Sequence, residues 1–377
     1  GLGMHDATGG SSIRPPAQTQ LSPGAQQAFS IVWETLGELE RDYYRPDQLD
    51  PSKLASAAAR GMVAAVGDPY TTLSDPHQSD LATADLRGTF DGAGIELDQR
   101  DGKYTVVAPL AGSPAEQAGI RPGDAIVSVD GQALDGLSLQ EVSRRIRGPR
   151  GSTVMLGLLR DGQALELSVV RDTIKVESVR GRLLSGDTPL AYLRISTFAE
   201  PTNGQLRDQL GALVAQGAKG VVLDVRGNPG GYLTSAVDVT SAFLKDGVVL
   251  YQARESADSS RRAFRTTGNA QAPDLPMAVL VDKGSASAAE IVAAALRDNQ
   301  RAVLVGQQTF GKGTVQELHT LSDASQLRLT VAQWLTPSGQ ALQGQGLMPD
   351  VVIPAVDGQD APLDAAIQLL QERVARG

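Results

Sequence analysis

"VLVGQQTFGKGT", Val303 to Thr314, decides how the second half of this chain is read. An apolar run enters Gly306, four residues intervene, and Gly311 and Lys312 follow. That is most of G-x-x-x-x-G-K-[ST], the loop that cradles phosphates in nucleotide-binding proteins. Gly313 stands where the hydroxyl residue that holds magnesium belongs. The Walker-B-like aspartate, Asp224 in "GVVLDVRG", comes before the lysine and not after it. A phosphate loop must also lead into a helix whose N-terminus faces the anion. Here "GTVQELHTLSDASQLRLTVAQWL" is rich in β-formers and broken by a turn. The stretch therefore reads as a buried strand that delivers a lysine to a glycine-rich corner, with no nucleotide.

Outward from that corner, long apolar runs recur: "PLAYLRIS" (189–196), "GVVLDVRG" (220–227), "MAVLVDKG" (277–284) and "RAVLVGQQ" (301–308). Continuous runs suit strands buried on both faces. Helical patterns lie between them at 203–216, 232–244 and 288–298. Strand and helix in alternation predict βαβ units and a largely parallel sheet. Before Asp172 the texture differs. Short β-like segments at 92–97, 103–110, 124–131, 152–160 and 164–171, with helical stretches at 113–120 and 138–148, predict one small β-rich domain with two helices. Phe29, Val32, Leu36, Leu39 and Tyr43 form an apolar helical stripe. Leu54, Ala58, Met62 and Val66 form a second, and Pro46 and Pro51 bracket the turn between them. "GDPYTTLSDP", 67–76, reads as a loop, and Ile367, Leu370 and Val374 stripe a last helix. By default both terminal stripes pack on their own domains.

The expected organisation is an α/β multidomain chain: 1–23 disordered, processed or artificial; 24–84 helical; 85–172 the β-rich domain; 173–356 the α/β core; 357–377 a C-terminal helix. Of the 377 residues, 41% are hydrophobic and 20% charged, ordinary for a globular protein. A net charge of −9 gives no nucleic-acid footprint. The absence of cysteine excludes disulfides, thiolate zinc sites and a cysteine nucleophile together. No metal or cofactor is expected, and no run reaches the roughly 18 apolar residues of a membrane-spanning helix.

Twenty-five positions before Lys312 lies "DKGSASAAEIVAAAL", 282–296, where a buried strand turns into a strong helix former. Ser287 sits at the junction. Ser287-Ala-Ala-Glu290 fits a capping box, so an N-cap serine is one reading. The other is a nucleophile at an exposed corner, beside backbone N–H groups that suit a developing oxyanion. Ser285 is a rival, set earlier in the turn. Neither His5, His77 nor His319 stands in visible relation to a serine. A neutral lysine is the other known base for serine. Its reference pKa of about 10.4 must be lowered by desolvation, and three units cost about 4 kcal/mol. Lys312, flanked by glycines with Phe310 nearby and no acidic residue within four positions, suits that task; an ordinary interfacial lysine is the alternative.

"GSASAAEI" followed by "GQQTFGKGTVQ" resembles the carboxyl-terminal processing proteases, tail-specific serine peptidases with a Ser–Lys dyad. "GDPYT" at 67–71, "DVRGNPGG" at 224–231 and "LTPSGQALQGQGLMPD" at 335–350 also resemble that family's motifs, in its order. The resemblance runs from about residue 25 to the end. It implies that Ser287 is the nucleophile, Lys312 the general base, and Gln316 a residue that orients the lysine. It implies an oxyanion hole from Ala288 N–H and an N–H of the "NPGG" turn, Gly230 by choice or Gly231 as the alternative. Asp224 and Arg226 are taken as a structural pair. The β-rich region resembles a PDZ domain, with Gly92, Ala93, Gly94 and Ile95 as the loop that holds a substrate's C-terminal carboxylate.

The implied function is an endopeptidase of the bacterial periplasm that recognises unstructured C-terminal tails of envelope proteins. The family also implies a helical-repeat lipoprotein adaptor for some members and homo-oligomers through terminal helices. The start "GLGMHDATGGSS" shows no signal peptide, so the extracytoplasmic setting rests on the resemblance. The rival from another class is a PDZ scaffold with a silent peptidase domain.

Overall fold

The computed structural model describes residues 22–75, 87–100, 103–110, 112–254, 261–354 and 358–376. Residues 1–21 of the expected N-terminal segment, His5 and His77 lie outside them. The chain forms two compact units. One holds the described residues up to 75 with Thr314–Ala332, and the other holds the rest.

The first unit opens with α1, Pro23–Asp42, whose Ala25 N–H is capped by the Ser22 hydroxyl, and α2, Pro51–Ala65, capped by Asp50. Proline at the first helical position suits both starts. Neither helix has a buried residue. This corrects the expectation that the Phe29–Tyr43 stripe packs on its own domain. An amphipathic stripe requires an apolar partner without specifying one, and among the described residues only Leu36 and Leu39 of this one are partly covered. Part of the expected loop is a strand, β1 (Thr72–Ser74), which pairs antiparallel with Gln326–Arg328.

The second unit begins with the β-rich domain. The chain enters it along β2 (Thr89–Gly92), then forms β3 (Ile95–Arg100), β4 (Lys103–Pro109), β5 (Ala125–Val129), β6 (Gln132–Ala133), β7 (Thr153–Arg160) and β8 (Gln163–Val170). It leaves along β9 (Asp172–Lys175), which pairs antiparallel with β2 from Thr89↔Lys175 to Gly92↔Asp172. The sheet order is β3-β4-β5-β7-β8, so β3 is an edge. Helices α3 (Pro114–Gln117) and α4 (Leu139–Ile146) start at serines 113 and 138, whose hydroxyls accept from Glu116 and Glu141 N–H. Val106, Ile126, Val142, Val154, Leu156 and Leu158 form its core.

The α/β core contains β10 (Val179–Leu184), β11 (Leu190–Ile195), α5 (Thr202–Ala215), β12 (Val221–Asp224), α6 (Leu233–Phe243), β13 (Val248–Ala253), β14 (Arg261–Arg265) and β15 (Met277–Val281). After these come α7 (Ala288–Asp298), β16 (Val303–Gly306), β19 (Val351–Val352) and α8 (Ala361–Arg376), while β17 (Thr314–Thr320) and β18 (Gln326–Leu335) as far as Ala332 belong to the first unit. The central sheet runs β10-β11-β12-β15-β16-β19, parallel except for the β10–β11 pair. Every residue of β12 and β15 is buried. One sheet face, with Val222, Ala278, Leu280 and Val305, packs on Leu363, Ala366 and Leu370 of α8. The alternate residues Val221, Leu223 and Val279 point the other way and are equally buried. At about 1.5–3 kcal/mol for each such side chain, this two-sided burial fixes the strand ends that carry the site.

Candidate active site

Ser287, Lys312 and the Gly230 turn all follow the C-terminal ends of adjacent parallel strands, where open α/β sheets hold their ligands. Ser287 comes just before α7, at φ 53° and ψ −114°. An ordinary N-cap has an extended φ. A non-glycine residue held here stores about 1–3 kcal/mol of strain and persists only where its surroundings over-determine it. They do. Ser285 Oγ donates to Val225 O (2.8 Å), Ala286 N–H to Asn228 O (2.9 Å) and Phe310 N–H to Ser285 O (3.0 Å). Gly227 N–H and Gly284 N–H both donate to Asp282 Oδ1, at 2.8 and 2.9 Å. Ser285, the rival nucleophile, is fully buried, and its hydroxyl faces two acceptors, Val225 O and, at 3.3 Å, Asp282 Oδ1. Ser287 is only half-buried.

Lys312 lies on the loop between β16 and β17. The phosphate-loop reading fails on geometry as well as on sequence. Gly311 and Lys312 N–H donate to Glu290, Gly313 N–H donates to Gln343 Oε1 (2.8 Å), and the chain continues into β17 and not into a helix. The loop is clamped further by Trp334, whose Nε1 donates to Lys312 O at 2.9 Å. A side chain at Gly311 would lie 2.6 Å from Gly346 N, and one at Gly313 would lie 2.7 Å from Gln343 N, so both approaches require glycine.

Glu290 joins the two halves. It is fully buried at the third position of α7. Its Oε1 accepts from the Thr309 hydroxyl and from Gly311 N–H (2.7 Å). Its Oε2 accepts from Ser287 N–H and from Lys312 N–H, both at 2.9 Å. One carboxylate oxygen thus receives the backbone N–H groups of both Ser287 and Lys312. The sequence showed Glu290 only as a capping partner. No local pattern signals its bonds to residues 309–312, which arrive from the neighbouring strand.

The Gly230 turn lies close against Ser287 and Ala288. A side chain at Gly230 would lie 2.8 Å from Ser287 Cβ and 3.1 Å from Ala288 N. The Gly230 N–H itself donates to Asn228 Oδ1 at 2.8 Å. Gln316 belongs to the first unit, where its Nε2 donates to Thr314 Oγ1 (2.7 Å) and Thr330 Oγ1 (3.4 Å). His319, also in that unit, is half exposed and lies 3.9 Å from Glu317, a carboxylate neighbour the sequence reading did not assign it. The Gly92–Ile95 segment lies in the β-rich domain at the start of edge strand β3. Ala93 O accepts from Ala115 N–H (2.9 Å), and Gly94 O accepts from Leu110 N–H (2.9 Å) and the Ser113 hydroxyl (3.0 Å). The N–H groups of Ala93 and Gly94 have no partner among the described residues.

Asp224, fully buried at the end of β12, accepts from Arg226, from Arg226 N–H and from the Tyr192 hydroxyl. Burial and the bond to Asp224 push the Tyr192 phenol up. Arg226 also bridges to Asp360 at 2.6 Å, ahead of α8. The pair is structural here, pinning the C-terminal helix to the strand ends.

The family profile of peptidase family S41 matches residues 189–353, and that of a PDZ domain matches residues 105–160. The carboxy-terminal processing protease CtpA of Bacillus subtilis strain 168 is 37% identical over 360 residues, which are 95% of this chain and 75% of that protein. The chain belongs to peptidase family S41, the family of the carboxy-terminal processing proteases. CtpB of the same organism is 35% identical over 349 residues, covering 90% of this chain and 72% of its own length. Among solved structures, the photosystem II D1 C-terminal processing protease superposes with a TM-score of 0.55 at 28% identity, over 94% of this chain and 99% of that one. In this S41 chain the PDZ match falls within the β3–β8 sheet and the peptidase match spans the central sheet from β11 to β19.

Proposed function

We propose that this S41 chain is a serine endopeptidase that holds the unstructured C-terminal tail of a protein on its PDZ sheet and cleaves it with Ser287 and Lys312. The observation that carries the reading is the single buried oxygen of Glu290 that receives both Ser287 N–H and Lys312 N–H. The tail adds as a strand along the free edge of β3. With the carbonyls of Ala93 and Gly94 tied inward, their N–H groups are left to meet its terminal carboxylate. At the dyad, neutral Lys312 Nζ takes the Ser287 proton as Oγ bonds to the scissile carbonyl carbon. Ala288 N–H and an N–H of the Gly230–Gly231 turn stabilise the oxyanion. Lys312 returns the proton to the leaving amine as the C–N bond breaks. Water then hydrolyses the acyl ester by the same proton route, and Ser287 is regenerated.

Incubation with an unfolded protein bearing a free tail tests this. Wild type should shorten the substrate and Ser287→Ala should leave it intact. Equal intact bands would replace the protease with the PDZ scaffold, and cleavage surviving in Ser287→Ala would move the nucleophile elsewhere. The reading includes a periplasmic setting, supported by resemblance; recovery of the native protein in the cytosolic fraction would remove it.

A further inference from the structure

Asn228 is the one residue of the "NPGG" turn whose side chain is fully buried, and the proposed cleavage leaves it without a role. All four of its polar positions are engaged. Its N–H donates to Val225 O (3.3 Å), its C=O accepts from Ala286 N–H (2.9 Å), its Nδ2 donates to Ile195 O (2.9 Å), and its Oδ1 accepts from Gly230 N–H (2.8 Å). Gly230 N–H can face only the amide oxygen and the Ile195 carbonyl only the amide NH2, so the orientation of the carboxamide is fixed. One side chain thereby ties the end of β11 to the glycine turn, while its backbone holds the residue before Ser287.

The consequence lies in which N–H remains. Phe198 pairs in parallel with Gly231: Phe198 N–H donates to Gly230 O (2.9 Å) and Tyr232 N–H to Phe198 O (2.8 Å). The Thr197 hydroxyl also donates to Gly230 O (3.1 Å). Alternation along an extended segment then turns Gly231 N–H away from Phe198. That N–H has no partner among the described residues. A side chain at Gly231 would lie 2.2 Å from Phe198 O, so the close pairing that aims its N–H requires glycine.

Resting on the peptidase reading above, we propose that Asn228 is a positioning residue. By holding Gly230 N–H it sets the turn so that Gly231 N–H, and not Gly230 N–H, joins Ala288 N–H at the oxyanion.

A peptide boronate, which forms a tetrahedral adduct on a serine nucleophile, is the probe. In a crystal structure of the wild-type adduct on Ser287, one boronate oxygen should lie about 3 Å from both Gly231 N and Ala288 N, with Gly230 N still on Asn228 Oδ1. An oxygen bound by Gly230 N, with Asn228 Oδ1 released, overturns the assignment while leaving the peptidase reading intact. A wild type that neither cleaves tails nor forms the adduct removes both. In solution, Asn228→Ala should lower kcat about a hundredfold, as loss of one oxyanion donor does. The KM for a tail substrate held by the PDZ sheet should stay within about twofold. A matching rise in KM with kcat unchanged would make Asn228 a binding residue and reject the proposal, and the adduct structure decides the matter if the variant does not fold.

Discussion

A carboxylate buried at the foot of a helix is costly unless donors replace its water, and Glu290 is surrounded by four. Glu290→Gln tests what those contacts do. The new NH2 group would face two donors and strand them, at about 1–3 kcal/mol for each group left unsatisfied. The expected result is a loss of at least a hundredfold in kcat and a lowered Tm, with tail binding by the PDZ domain unchanged. A wild-type kcat in a folded Glu290→Gln protein would show that the carboxylate does not align the dyad. Individual residues were unevenly legible in the sequence. Lys312 stood out because glycines flank it and the hydroxyl of a phosphate loop is missing at 313. Ser287 stood out at a strand-to-helix junction, but its positive φ is invisible in a string of letters. Glu290 and Asn228 act on groups far along the chain or across strands, and no spacing rule reaches them.

Elements with local signals were the readable ones. Helices α3 and α4 begin at capping serines, β15 is an unbroken apolar run between turns, and β12 is one that ends on Asp224. Strands β10 and β14 were missed: "VRGRLL" and "RRAFR" mix arginine with apolar residues without a continuous apolar run, and neighbouring strands make them strands. α8 was readable from its stripe, but not what fastens it. Asp360 accepts from Leu363 N–H at 3.3 Å and pairs with Arg226. The hydrogen bond from the Arg226 guanidinium holds the Asp360 carboxyl below its usual range. A depressed folded pKa gives stability that is present above the unfolded value, about 3.9, and is lost as pH falls through the folded value. Asp360→Ala should therefore cost about 1 kcal/mol in urea unfolding at pH 7, the worth of a helix cap. The gap to wild type should close at a pH below the folded value. A gap that persists unchanged in acid would mean that Asp360 acts without its charge.

At the scale of the whole molecule, α1 is the element without a place. Trp33 is 72% exposed and Ile31 60%, on a helix without a fully buried residue. Exposed apolar faces of this kind mark association surfaces, and the family resemblance points to a second copy of this chain as the partner. Light scattering at micromolar concentration should give a dimer or larger species, and Trp33→Glu should shift it toward monomer. A monomeric wild type would sink the idea. The β2–β9 pair has a different kind of consequence. The chain enters and leaves the PDZ domain through two adjacent antiparallel strands, with Val176 N–H donating to Gly88 O at 2.9 Å just beyond them. Topologically the PDZ domain is an insertion on a two-stranded stem. The order of strands in the catalytic sheet does not depend on what the stem carries. Recognition and cleavage can therefore diversify separately in evolution, one by exchanging the module above the stem and the other by editing the strand ends below it.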